Sequence, residues 1–183
     1  MLGAMDVGLV LDGRDGVRTA DGDRFAAVAA TRHVRLVKPM AGAVLRAGRV
    51  ALKILGPLPG PSTALTGDDP NQRAIVLELR DRGATLLLTS DAESDVLDRL
   101  DVGPVDLLKV SHHGSADPGL PALLTRLRPR AAVIEVGAHN TYGHPVARTV
   151  TELRRVATLY RTDRDGTVRA DLEPAGWTFH VHS

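Results

Sequence analysis

The segment KVSHHGSADPG, residues 109–119, places two imidazoles side by side after an apolar run and closes them off with glycine and serine. Two further clusters share its chemistry. Asp91 follows the run ATLLLT (84–89), and VGAHNTYGHP (136–145) carries His139, Asn140, Tyr142 and His144. Imidazole and carboxylate are donors that suit zinc or manganese. Side chains alternate along a strand, so His112 and His113 are expected to point apart. One of them then suits a metal, and the other suits a supporting contact or a phosphate.

Plainer roles compete with each of these. Asp91 sits in Ser90-Asp91-Ala92-Glu93, which has the form of a capping box opening a short helix to about Leu100. His144 precedes Pro145 and could stand in for a helix cap. His180 and His182 share a strand face at ligand-like spacing but read as surface residues, and His33 beside Arg32 and Arg35 reads as solvated. The run RLRPR (126–130) and the pair Arg154 and Arg155 read as solvent faces, and they are also the best phosphate contacts in the chain.

The elements that must position these groups follow from the apolar pattern. Short apolar runs bounded by turn residues at 34–37, 49–55, 74–79, 84–89, 105–110 and 131–136 predict strands. Asp117-Pro118 opens a helix with Leu120, Leu123, Leu124 and Leu127 on one stripe, and Pro145 begins another with Val146, Val150, Leu153 and Val156 on one face. Residues 56–71 predict a long surface loop, and the tail predicts strands around an Asp165-Gly166 hairpin turn. Near-continuous apolar strands alternating with amphipathic helices give an α/β class, a mixed sheet flanked by helices in a single domain over 1–183. Candidate groups at the ends of several strands then line one crevice.

Composition narrows the choice further. The 183 residues are 43% hydrophobic but only 3% aromatic, so aliphatic side chains must build the core. The net charge of +1 gives no global basic field. The absence of cysteine excludes disulfides and thiolate metal sites. No apolar run is long enough to span a bilayer, and the first residues lack the form of a signal peptide.

The order of motifs LLLTSDAESDVL, DLLKVSHHGS, RPRAAVIEVGAHNTYGHP and LYRTDRDGTVRADL resembles the metallo-β-lactamase-like domain of ComEC-type DNA-uptake (competence) channel proteins, over roughly residues 40–172. That resemblance implies an α/β/β/α sandwich, of which this chain holds the C-terminal portion. It implies a metal-dependent hydrolase acting on DNA, with two zinc or manganese ions in an intact site. Asp91 would bind or bridge metal, and His112 or His113 with His144 would complete or flank the site. Ser115, Asn140 and Tyr142 would shape the substrate pocket. The Asp163 to Gly166 turn would be structural. DNA and the rest of a membrane channel would be partners, with the domain on the extracytoplasmic face.

This sequence departs from the family pattern in places that matter. The first metal motif, H-x-H-x-D-H, is absent, and Ser90, Ala74 and Glu135 replace the usual glycine and two serines. A partial ligand set predicts weak metal binding and little or no cleavage by this chain alone. Three classes follow: a hydrolase domain represented in part, a degenerate domain that binds DNA or a partner without cutting, and an unrelated metallo-hydrolase. If half of a two-sheet sandwich is lacking, a bare apolar sheet face predicts a homodimer.

Overall fold

The computed structural model describes residues 5–13, 19–60 and 69–182. The first elements are β1 (Leu9–Leu11), α1 (Ala20–Thr31) and β2 (Arg35–Val37), with β1 and β2 paired in parallel. Thr19 caps α1 by accepting from the Gly22 amide at 3.0 Å. None of the three elements except β2 was expected from the sequence, because their apolar faces are short and only half-buried.

Seven strands form the main sheet in the order of the chain: β3 (Val44–Ala47), β4 (Val50–Gly56), β5 (Val76–Asp81), β6 (Ala84–Leu88), β7 (Leu107–Lys109), β8 (Ala131–Ile134) and β9 (Thr158–Arg161). The first four are antiparallel, and from β6 onward the pairing is parallel. Connection length decides the switch. Arg82 and Gly83 alone join β5 to β6, both at positive φ, the geometry of a two-residue hairpin turn. Each later strand is reached through a helix: α2 (Ser94–Leu97), α3 (Leu120–Leu127) and α4 (Ala147–Val156).

The helices cover one face. Leu87, Leu108, Ala132 and Ile134 from the sheet meet Leu97, Leu123, Leu127 and Leu153 from the helices, all buried in one core. The stripe predicted from Leu120 to Leu127 is the buried face of α3. On α4, Val150 and Leu153 are buried, but Val156 is 49% exposed, because the helix ends there and turns into β9. That helix begins at Ala147 rather than Pro145.

A short helical turn, α5 (Thr162–Asp165), leads from β9 into a separate hairpin of β10 (Thr167–Glu173) and β11 (Gly176–His182). Asp165-Gly166 is therefore not a hairpin turn. The reversal comes after Glu173, and Asp165 instead accepts from the Arg161 amide at 2.7 Å. The hairpin lies against the uncovered sheet face, where Phe179 stacks on Tyr160 with ring centroids 4.6 Å apart. Arg82 ties it down by donating to the Leu172 carbonyl at 2.8 Å.

Among the described residues, the second β layer is this hairpin and not a full facing sheet, in keeping with a partial sandwich. One expectation changes: the sheet face it adjoins is less bare than expected. Leu77, Leu79, Leu86, Leu88 and Val133 are half-buried, and Leu107 and Ala131 are buried. Of the predicted loop at 56–71, residues 61–68 lie outside the described residues. No described helix is long and apolar enough to cross a membrane.

Candidate functional site

The site forms where the parallel strands end. β6 runs into Ser90 and Asp91, β7 into Ser111–Gly114, and β8 into the 137–145 loop. Three consecutive residues of the β7 loop are left-handed: His112 (φ 44), His113 (φ 52) and Gly114 (φ 81). Ser90 across the gap is left-handed as well (φ 49). For a non-glycine residue this conformation costs roughly 1–2 kcal/mol, and such outliers concentrate at functional sites.

Packing and hydrogen bonds hold the turn in place. Ser90 O accepts from the His112 amide at 3.1 Å and from Lys109 Nζ at 3.2 Å. Ser90 Oγ donates to the Ile75 carbonyl at 2.7 Å, and Thr89 Oγ1 to the Lys109 carbonyl at 2.8 Å. Gly114 O accepts from the Val146 amide at 3.0 Å. Gly114 also lies flat against Pro145, where a Cβ would stand 2.6 Å from the proline Cβ.

The adjacent histidines reach different partners, because the left-handed turn rather than strand alternation sets their directions. His113 Nδ1 lies 2.6 Å from the Glu135 carbonyl, and its Nε2 lies 3.7 Å from Asp91 Oδ1. A carbonyl only accepts, so Nδ1 carries the proton and Nε2 faces the carboxylate. His112 Nδ1 lies 3.1 Å from Glu93 Oε1. Its ring meets His144 edge to face at 5.6 Å, and His144 in turn stacks on Tyr142 at 6.4 Å. His144 Nδ1 is buried without a hydrogen-bond partner.

Asp91, His112, His113 and His144 thus stand at one edge, in two pairs. Tyr142 is 83% exposed. Asn140 spends its amide on its own loop, donating to the His144 carbonyl at 2.8 Å and accepting from the His144 amide at 3.2 Å. Ser115 is buried with its hydroxyl on Glu93. Of the three residues expected to shape a substrate pocket, Tyr142 alone is open to a substrate.

Sequence reasoning missed two residues. Glu93 was read as half of a capping box, but it makes no cap bond and Ser90 is turned to Ile75. Asp117 takes over that capping role. It accepts from the Ser94 amide at 3.0 Å and the Ser94 hydroxyl at 2.5 Å, which leaves Glu93 free for the site. The signal was a second carboxylate two residues after Asp91. The other missed residue is Lys109, a lysine at the end of an otherwise apolar strand. Burial pushes its ammonium below the usual lysine range, while Asp91 and Glu135 oppose that shift. Lys109, His113, Glu135 and Thr162 line a cavity of about 650 Å³ between sheet and hairpin. A second cavity, of about 580 Å³, lies at the opposite strand ends and holds none of these residues.

The donors fit a metal only in part. Two ligands at about 2.0–2.1 Å on a tetrahedral ion stand roughly 3.3–3.4 Å apart, close to the 3.7 Å between Asp91 and His113. Among the described residues, however, no group of three or more histidine or carboxylate side chains is placed to hold an ion. These residues do not complete a metal centre.

The mixed sheet with helices on one face, and the candidate groups at its strand ends, matches the metallo-β-lactamase type of fold. A solved structure of that fold, CmlA, a diiron beta-hydroxylase from Streptomyces venezuelae, matches with a TM-score of 0.52 at 14% identity, over 84% of this chain and 38% of its own. The chain is homologous to ComEC-type proteins. It is 29% identical over 147 residues to ComE operon protein 3 of Bacillus subtilis, and 31% identical over 115 residues to Recombination protein 2 of Haemophilus influenzae. These matches cover 77% and 61% of this chain but 18% and 14% of the relatives, so it spans less than a fifth of either. No family model matches the chain.

Proposed function

We propose that this chain is a single domain, part of a metal-dependent hydrolase of nuclease type within a ComEC-type DNA-uptake protein, and that it does not cleave DNA by itself. The observation that carries this reading is the Asp91–His113 pair, two donors 3.7 Å apart on a strained strand edge; among the described residues no third histidine or carboxylate is placed to join them on an ion. Zinc or manganese suits such donors. The larger protein would attach the domain to a membrane channel on its extracytoplasmic face and bring it DNA. Arg126 is less available for phosphate than its sequence context implied, since it donates to the Val102 and Leu97 carbonyls at 2.8 and 2.9 Å. Arg128 and Arg130 remain exposed.

The test is the purified chain with labelled single- and double-stranded DNA and a manganese or zinc titration, beside Asp91→Ala and His113→Ala. The expected result is no cleavage above buffer. Strong cleavage abolished by both substitutions would show that the site is complete as it stands.

A second reading, a non-catalytic domain that binds DNA or a protein partner, draws on the same two-donor limit and on Ser90, Ala74 and Glu135. DNA binding indifferent to Asp91→Ala and His113→Ala would favour it. The expected homodimer would bury what the hairpin leaves open on the sheet face, and light scattering across micromolar concentrations reads it.

A further inference from the structure

Glu93 touches both the histidine turn and the residue that anchors it. Its Oε1 stands 3.1 Å from His112 Nδ1 and accepts the Ser115 hydroxyl. Ser115 is 8% exposed, its amide donates to the His112 carbonyl at 3.0 Å, and its own carbonyl accepts from Thr149 at 2.7 Å. The carboxylate therefore braces the turn against α4. An ionised carboxylate only accepts, so the proton of His112 sits on Nδ1 and Nε2 is the ring's free acceptor. His113 is fixed in the same sense by the Glu135 carbonyl, just past the end of β8. Two adjacent imidazoles thus hold the same tautomer through acceptors from different segments, Glu93 at the start of α2 and Glu135 after β8.

On the reading that this edge is the reactive site, we infer that Glu93 is its positioning residue: it fixes His112 in the Nδ1–H tautomer and leaves Nε2 as the ring's unprotonated nitrogen. Carboxylates set histidine ligands and bases in this way, by fixing tautomer and ring orientation through the other nitrogen. Asp117 makes the assignment possible, because it caps α2 in place of Glu93.

Long-range proton–nitrogen NMR of the imidazoles tests this on the whole chain at about pH 8.5, some two units above the ordinary histidine value. The expected spectrum shows His112 protonated at Nδ1. Glu93→Ala should move its tautomer ratio toward Nε2–H by about tenfold or more, the scale of one hydrogen bond to a charged acceptor. Glu93→Gln, whose amide oxygen still accepts, should restore most of the native ratio. The His113 signals should stay unchanged in every variant, since their acceptor is a backbone carbonyl. Ser115→Ala should leave the His112 tautomer as it is, and it carries the test with Glu93→Gln if Glu93→Ala does not fold. Nε2–H on native His112, or a ratio within about twofold of native in Glu93→Ala, would overturn the assignment. So would loss of Nδ1–H in Ser115→Ala. The readout needs neither metal nor DNA, so it fails separately from the hydrolase reading.

Discussion

Gly114→Ala should damage the site and the fold together. Gly114 has φ 81, where alanine costs roughly 1–2 kcal/mol. Its Cβ would stand 2.6 Å from Pro145 Cβ, 3.3 Å from Pro145 Cα and 3.4 Å from Ile134 Cδ1. Ile134 is fully buried, so neither neighbour yields easily, and overpacking of this kind costs about 1–3 kcal/mol. The lower chain entropy of unfolded alanine offsets about 0.4–1 kcal/mol. The net loss is about 1–4.6 kcal/mol. With a urea slope of about 2 kcal/mol per molar, the unfolding midpoint should fall by about 0.5–2.3 M. Trp177, the single tryptophan, reports on the transition by fluorescence, and far-ultraviolet circular dichroism checks that the two probes coincide. A variant within about 0.5 kcal/mol of the parent would mean that the turn does not depend on glycine against Pro145, and the account of how His112 and His113 are held would be wrong.

Asp117→Ala removes acceptors from the Ser94 amide, the Ser94 hydroxyl and the Gly119 amide, and should destabilise by about 2–3 kcal/mol, read as a lower melting temperature. Leu127→Ala opens a cavity at a fully buried position between α3 and the sheet, for an expected loss of about 2–5 kcal/mol in urea unfolding. Asp163 is held below the ordinary carboxylate range by its hydrogen bonds to Arg161, at 3.0 and 2.5 Å, and by that residue's charge. A depressed folded value stabilises above the unfolded value of about 4 and is lost as pH falls through the folded one. Stability should therefore fall on acidification below about pH 4, and less steeply in Asp163→Asn, as denaturation curves at stepped pH would show.

Local pattern was enough for the framework. The apolar runs marked the strands from β4 to β8, and the leucine spacing from Leu120 to Leu127 gave both the helix and its buried face, because periodicity reflects which side faces the core. The gathering of the candidate residues was legible too, since Asp91, His112, His113 and His144 follow parallel strands and such strands end on one edge.

What each side chain touches was decided only by tertiary contacts. Ser90 and Glu93 have the spacing of a capping box, yet Asp117, more than twenty residues away, takes the cap, and Glu93 turns to His112 and Ser115. Strand alternation suggested how the two histidines diverge, but a left-handed turn pressed against Pro145 sets their directions. The cover on the sheet's open face comes from a hairpin whose reversal the sequence pattern placed nine residues too early, at Asp165-Gly166 rather than after Glu173. Short-range sequence encodes periodicity and backbone preference. Which of several competing acceptors a polar side chain uses depends on distances that exist only after the strands and helices have packed.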